Sequence, residues 1–403
     1  MKEKIKIAVF TGSIVLNRNY FDVRNKYIIE RLHYLKDFDD LEITIICPND
    51  ISDRFKKFHY ITYPFLNKKH LKLISITIFS FLKLLTLNCN AFQIFHCYSH
   101  ESARVALIAQ IFFKKKICIL FEPMGLAAEE SRIYARSSII SRLLRPFRVL
   151  EEKLIFKKSD GIIVYTESWK EYMSEFYGIS KSNIFVVPHG VNLKLFTQNV
   201  KKSQILINKL NLQNKKVIMY VGTISELHGS LDLVKAIRIV NKKAKNIAFV
   251  IMGEGYLKPK IMEYIKKYQL DNVILEGKVP QQAVPEYYAL ADILVIPHVR
   301  RIDSELDFPT KLLEYLASGK PIVASNLKAI ADVVGDNAIL VEPENSQAFA
   351  DGILMLLNDE ELAKRMGENG KKIIYNYSWE ESAKKIYEAY KLFAHPPKPS
   401  GTE

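Results

Sequence analysis

The chain has 403 residues, 48% of them hydrophobic, with 58 Lys and Arg against 44 Asp and Glu and a formal net charge of +14. That length suits about two or three domains, and that apolar content excludes a disordered chain. A surface this basic attracts polyanions, but no helix-turn-helix, zinc-finger or RNP-type pattern occurs, so nucleic acid is not an expected partner.

The N-terminus runs from Met1-Lys2-Glu3-Lys4 straight into Ile5–Phe10, an apolar run too short for a signal-peptide core and better read as a first strand. No apolar run reaches about 18 residues, so no membrane-spanning helix is expected and a cytoplasmic location is. The cysteines Cys47, Cys89, Cys97 and Cys118 lack metal-ligand spacing and read as small buried hydrophobes in a reducing compartment.

The first half alternates expected strands (Ile5–Phe10, Ile43–Cys47, Phe92–Phe95, Ile117–Phe121, Gly161–Val164, Ile184–Val187) with helical patterns such as Tyr27–Leu35, Ser102–Phe113 and Trp169–Phe176. Such alternation predicts a parallel sheet covered on both faces, with ligands beyond the strands' carboxyl ends. Thr11-Gly12-Ser13 follows the first strand as a loop where backbone can approach a ligand, without the spacing of a dinucleotide fingerprint. Asp37-Phe38-Asp39 reads as a solvated turn.

Two segments are both apolar and basic. Between Lys68 and Leu87, Leu71, Ile74, Ile78, Phe81, Leu82 and Leu85 share one helical face, punctuated by Lys68, Lys69, Lys72 and Lys83. Between Ser141 and Lys158, Leu143, Leu144, Phe147, Leu150, Leu154 and Ile155 are interleaved with Arg142, Arg145, Arg148, Lys153, Lys157 and Lys158. Core-facing amphipathic helices account for both, and so does in-plane contact with an anionic membrane surface.

Glu122-Pro123-Met124-Gly125 follows a strand end at the expected mouth of the cleft, where Glu122, or Glu129 or Glu130 beyond it, either meets a ligand or faces water. The polar run after Phe196 reads as a linker, and a new sheet opens with Lys216–Gly222. The expected division is residues 1–196, a linker at 197–205, a second domain at 206–377, a final helix at 378–394 and a disordered tail at 395–403.

Asp307 to Ser325 is the most informative stretch. Pro309 suits the first position of a helix, Ser318-Gly319 its stop, and Ile322-Val323-Ala324 a buried strand. At helical periodicity Thr310, Lys311, Glu314 and Tyr315 share one side, and Leu312, Leu313 and Leu316 the other. A helix start with a hydroxyl, a cation and a carboxylate suits a nucleoside diphosphate: the free N–H groups and Lys311 face phosphate, and Glu314 accepts from a ribose diol. The same pattern also fits an ordinary solvated helix face.

This stretch, with Glu-Tyr-Leu-Ala-Ser-Gly-Lys-Pro-Ile-Val-Ala-Ser from Glu314, resembles the signature of retaining glycosyltransferases of family 4. Four further segments match in order: Thr223-Ile224-Ser225-Glu226-Leu227-His228-Gly229 after Gly222, Met252-Gly253-Glu254-Gly255, Gly277-Lys278-Val279-Pro280, and Tyr287 to Pro297. In the first half, Lys158 to Thr166 and Val186 to Phe196 are similar more weakly. The resemblance implies an α/β GT-B fold, two Rossmann-like parallel-sheet domains facing a central cleft, the first binding acceptor and the second the nucleotide sugar. It implies transfer of a sugar from a nucleotide-diphosphate sugar to a sugar or lipid-linked acceptor hydroxyl, with no metal and no cofactor, in cell-surface polysaccharide or glycolipid synthesis, and a place on the inner face of the cell membrane.

Carried onto this chain, the donor would meet Gly12, Gly222, Thr223, His228, Gly253, Val279, Asp307, Thr310, Lys311, Leu312 and Glu314. The acceptor would meet Arg24, Glu122 and Met124, with Glu122 and Lys311 in catalysis. Among the chain's departures from the pattern, these bear most on the site. Leu306 holds the place of the family's sugar-binding Glu, Met124 that of a His, and Thr223 and His228 those of the diphosphate-gripping Arg and Lys. Lys311, or Arg300 or Arg301, would supply the missing charge. An ordinary imidazole at His228 would be mostly neutral at about pH 7.5 and would gain its proton toward about pH 6. A nucleotide-sugar epimerase and a non-catalytic nucleotide-binding relative are the alternative readings.

Overall fold

The apolar runs become parallel strands because most of their residues meet water on neither face. A computed structural model of the chain describes residues 4–12, 23–49, 58–66, 71–87, 89–113, 115–126, 139–198, 200–306 and 309–395. Asp307, Lys68, Lys69, Glu129, Glu130, the side chains of Arg24, Arg142, Leu144 and Arg145, and the tail from Pro396 lie outside the described residues. The chain divides into two units, Met1–Pro188 with Trp379–Glu403, and His189–Ser378.

In the first unit, β1 (Ile5–Phe10), β2 (Leu41–Pro48), β3 (His59–Tyr63), β4 (Ile94–Cys97), β5 (Cys118–Phe121), β6 (Gly161–Val164) and β7 (Ile184–Val186) lie in the order β3-β2-β1-β4-β5-β6-β7. In the second, β8 (Lys216–Val221), β9 (Ile247–Met252), β10 (Val273–Gly277), β11 (Ile293–Ile296), β12 (Ile322–Ser325) and β13 (Ile339–Val341) lie in the order β10-β9-β8-β11-β12-β13. All the pairings in both sheets are parallel. Each order reverses beside the unit's first strand, at β1/β4 and at β8/β11, where Rossmann-like sheets bind ligands. β3 was not expected from the sequence: it is an edge strand whose His59 and Tyr60 face water, so it lacks the apolar run that marks the others.

The expected helix from Ser102 begins at His100. Ser99 caps it by accepting from the Ser102 N–H at 3.1 Å, while the Ser102 hydroxyl accepts from the Ser99 N–H at 3.0 Å. Its end tightens into a 3-10 turn over Gln110–Phe112. The last helix, Trp379–Ala394, belongs to the first unit. Ala383, Ile386 and Tyr390 join the core of Ile7, Val9 and Ile43, Tyr387 stacks on Phe38 with ring centres 4.1 Å apart, and the Ser382 hydroxyl donates to the Pro188 carbonyl at 2.7 Å. Asp37 and Asp39 are exposed in a turn.

The first unit ends before the boundary expected after Phe196, because Phe196 is buried near Tyr288 of the second unit, with ring centres 6.0 Å apart. The expected linker also contains the start of a helix, Gln204–Lys209, capped by Ser203.

The two basic amphipathic segments form helices Lys72–Thr86 and Ile139–Lys158, but much of their apolar face is turned outward. Ile74, Ile78 and Leu82 on the first, and Leu143, Phe147, Leu150 and Leu154 on the second, are exposed, so a purely core-facing role does not describe them.

Candidate functional site

The helix Thr310–Ser318 forms where the sequence marks it, stopped by Gly319 at φ 68°. Pro309 is its N-cap rather than its first helical residue. Leu312, Leu313, Leu316 and Ala317 are buried. Tyr315, expected on the outward face, is fully buried too, and its hydroxyl accepts from the Val221 N–H at 2.9 Å. A backbone amide at the end of β8 needs a partner, and Tyr315 provides it; this contact ties the helix to the carboxyl end of β8, beside the sheet's reversal point.

Lys311 is brought to the same place. Its stem is partly exposed, but its ammonium is buried, has no hydrogen-bond partner among the described residues, and sits 4.7 Å from the centre of the Tyr220 ring. It closes over Gly222, where a Cβ would stand 2.4 Å from Nζ and would have to push the ammonium aside; φ at 149° there favours glycine. Gly253 lies alongside, so close that its Cβ would fall 1.9 Å from the Gly222 carbonyl oxygen. Burial pulls the Lys311 pKa down to about 7, against the attraction of Glu314.

Two imidazoles complete the cluster. His228 is hydrogen-bonded through Nδ1 to the Ser225 hydroxyl at 2.7 Å, and its ring meets that of His298 edge-on at 4.8 Å. Burial first and the Lys311 charge second bring His228 down to about 3, so the free site keeps it neutral at about pH 6, contrary to the expectation for an ordinary imidazole. His298 is also lowered, by burial, Lys311 and His228, and its buried Nε2 has no hydrogen-bond partner among the described residues. An ammonium and two ring groups thus meet in a desolvated place where each disfavours charge on the others, an arrangement that an anion would relieve.

One turn along the helix, Glu314 is half-buried and accepts from the Tyr288 hydroxyl at 3.0 Å. Thr310 is half-buried at the helix start, Thr223 is exposed after β8, and Val279 is half-buried after β10. Leu312 offers no side chain outward, and its N–H is given to the Pro309 carbonyl. Arg300 is engaged by Glu305 at 3.0 Å, Glu342 at 2.7 Å and the Asn326 carbonyl at 3.1 Å, and Arg301 by Asp303 at 3.1 Å. Glu305 also accepts from the Lys328 N–H, and Leu306 is buried.

The first-unit candidates are placed differently. Above Gly12, the Ser99 hydroxyl would lie 2.1 Å from an added Cβ, and the Tyr63 hydroxyl donates to the Gly12 carbonyl at 2.6 Å. Arg24 lies in the first turn of the helix Val23–Leu35, and Met124 packs partly buried on the core. Glu122 faces neither an acceptor nor water: it is fully buried, with Arg31 Nη1 2.6 Å from both its oxygens and His96 Nε2 3.1 Å away. Arg31 and His96 outweigh the burial cost and hold its pKa down to about 2. His96 in turn meets the Tyr390 hydroxyl at 2.7 Å, and Arg31 Nε donates to Ser382 at 3.2 Å, so this network fastens the last helix to the sheet. Its geometry is that of a structural ion pair, which removes the reason to place Glu122 at the chemistry.

Residues that sequence reasoning missed include His298, Tyr220 and Tyr288. His298 stands just beyond β11, on the other side of the reversal point from Gly222, and that position was its only signal.

Residues 202–373 match the family described as glycosyl transferases group 1, and residues 25–195 match Glycosyltransferase Family 4. A D-inositol 3-phosphate glycosyltransferase of Corynebacterium urealyticum is 26% identical over 60% of this chain and 59% of its own length. A lipopolysaccharide 1,2-N-acetylglucosaminetransferase of Salmonella typhimurium is 26% identical over 57% of this chain and 61% of its own. The match thus spans about three fifths of the length of these curated relatives. Among solved structures, the Anabaena protein HepE in complex with UDP superposes with a TM-score of 0.72 at 14% identity, over 96% of this chain and 99% of that one. With the two family matches together running through both units, the chain belongs to the family 4, group 1 glycosyltransferases and has their GT-B fold.

Proposed function

We propose that this protein transfers a sugar, with retained anomeric configuration, from a nucleoside-diphosphate sugar to an acceptor hydroxyl on a sugar or lipid-linked acceptor. The observation that carries this reading is the buried Lys311 ammonium, without a hydrogen-bond partner among the described residues, at the carboxyl end of β8 and beside the start of a helix. As the glycosidic bond to the diphosphate breaks, its electron pair and negative charge move onto the phosphate oxygens. Lys311 and the helix start oppose that charge in a place where water is largely excluded, and such preorganised charge lowers the barrier. The chain's own ammonium makes a metal ion unnecessary for this step. Glu314 accepts from the ribose hydroxyls, steadied by Tyr288. The UDP complex of HepE and the lipopolysaccharide transferase of Salmonella typhimurium support a nucleotide donor and a role in surface glycan synthesis.

Glu314→Gln tests the ribose assignment. Gln still accepts from Tyr288, so the melting temperature should hold, while loss of a charged acceptor should weaken nucleotide binding roughly tenfold. Unchanged affinity for UDP, GDP and ADP alike would remove Glu314 from the site. Incubation with nucleotide sugar alone separates transfer from epimerisation: transfer predicts no isomerised sugar.

A further inference from the structure

We infer that a cavity in the second unit, at the opposite end of the helix Thr310–Ser318 from Lys311, binds a small phosphate-bearing anion. This goes beyond the proposed transfer reaction and stands on different residues. The cavity measures about 260 Å³, and its walls include Phe196, Tyr288, Ala289, Gly319, Lys320 and Lys371. Pockets for drug-sized ligands run from about 300 to 1,000 Å³, so an occupant here is smaller than a nucleotide. None of the described residues lining it is an Asp or Glu.

The charge at this cavity selects the occupant. Lys320 follows the helix stop at Gly319, is half-buried, and gives one N–H to the Ala289 carbonyl at 3.1 Å. An ammonium has three donors, so two of its N–H groups remain to be satisfied beyond that bond. Lys371 arrives from the last turn of the helix Glu360–Ile373. Gly367 lets that helix lie directly on the end of Thr310–Ser318, since a Cβ there would overlap the Gly319 carbonyl oxygen, and the stem of Lys371 crosses Gly319 where a Cβ would otherwise stand. A third ammonium, Lys202, acts on Lys320 from nearby. Burial first, then Lys202 and Lys371, bring Lys320 down to about 8 against the attraction of Asp292. The Asp292 carboxylate is already bonded by Lys202 at 3.3 Å and by the Val217 N–H at 2.8 Å. The helix end at Gly319 also favours cations, but its roughly half a negative charge does not offset the excess. Unspent donors, surplus positive charge and room for a small molecule are together what a phosphate group satisfies, because its oxygens accept from ammoniums on more than one side.

Equilibrium dialysis of the full chain against labelled inorganic phosphate, and separately against labelled glucose 6-phosphate, reads occupancy directly. The parent and Lys311→Met should bind at least one of the two alike, because the donor-phosphate place is not this cavity. Lys320→Met and Lys371→Met should each bind it at least about tenfold more weakly, the scale of losing one hydrogen bond to a charged group, while keeping the nucleotide affinity of the parent. Lys371 is exposed, so its variant is expected to fold as the parent does. Preference for inorganic phosphate assigns the cavity to the free ion, and preference for the ester assigns it to a phosphorylated metabolite. Binding of neither overturns the inference, and so does parental binding in both Lys320→Met and Lys371→Met. Binding that Lys311→Met abolishes also overturns it, since the phosphate would then occupy the donor site.

Discussion

Lys311→Ala should lower kcat/KM for sugar transfer by about 100-fold or more, the scale of losing one preorganised donor to a developing oxyanion. The loss should fall on kcat as well as on donor binding, because leaving-group charge grows toward the transition state. His228→Ala should cost less than about tenfold, since a ring held neutral contributes little Coulombic attraction. Arg300→Ala should stay close to the parent: that guanidinium is exposed and already shared between Glu305 and Glu342. Burial, the larger cause of the low His228 value, remains in Lys311→Ala, so a change from about pH 7.5 to about pH 6 should rescue that variant little. The kinetics of the three single variants at both pH values decide the matter. Near-parental turnover for Lys311→Ala beside a collapse for Arg300→Ala would transfer the phosphate role to the arginine.

The second large effect is on stability. Glu122→Ala leaves the Arg31 guanidinium buried without its carboxylate, which should destabilise the first unit by about 3–5 kcal/mol in urea denaturation. The double variant Arg31→Met, Glu122→Leu should recover part of that loss, because an apolar pair of similar size carries no desolvation cost. The pH dependence has a definite sign. The folded value of Glu122 is about 2, below its ordinary 4.5, so its contribution is complete above about pH 4.5 and is lost as pH falls toward about 2. A Glu122→Ala protein within about 1 kcal/mol of the parent would show that the network is not holding the last helix.

The strands were legible because parallel sheets buried on both faces leave continuous apolar runs; β1 and β6 fall on the expected residues. β3 was not, since an edge strand keeps polar and exposed positions. At the site, Lys311 and Glu314 were legible because one short helix carries both, and helical periodicity fixes which residues share a side. Tyr315 shared that periodicity and still turned inward, because the amide at the end of β8 is satisfied by its hydroxyl, a demand no local pattern shows. Glu122 read as a loop acid that either met an acceptor or faced water, because its partner Arg31 lies 91 residues away in the chain. His298 needed the sheet order, which places the end of β11 beside the end of β8. The outward apolar faces were half legible: the sequence shows amphipathic helices, but the structure shows that Ile76, Leu84, Ile155 and Phe156 are buried beside Ser75, Ser80 and Glu152 while other apolar residues face outward.

Lys311 also sets the free protein against its ligand-bound form. A lysine whose folded pKa is lowered costs stability at every pH below its unfolded value, and the cost grows as pH falls toward about 7. A bound diphosphate restores the charged form, so at about pH 8 binding must draw a proton from solvent onto Lys311. Calorimetric titration with UDP, GDP or ADP, repeated in buffers of different ionisation heat, counts that proton. The predicted result is uptake of close to one proton by the parent with the best-bound nucleotide, and weak binding with no uptake by Lys311→Met. Binding without proton uptake by the parent, or parental affinity in Lys311→Met, would contradict the assignment of Lys311 to the donor diphosphate.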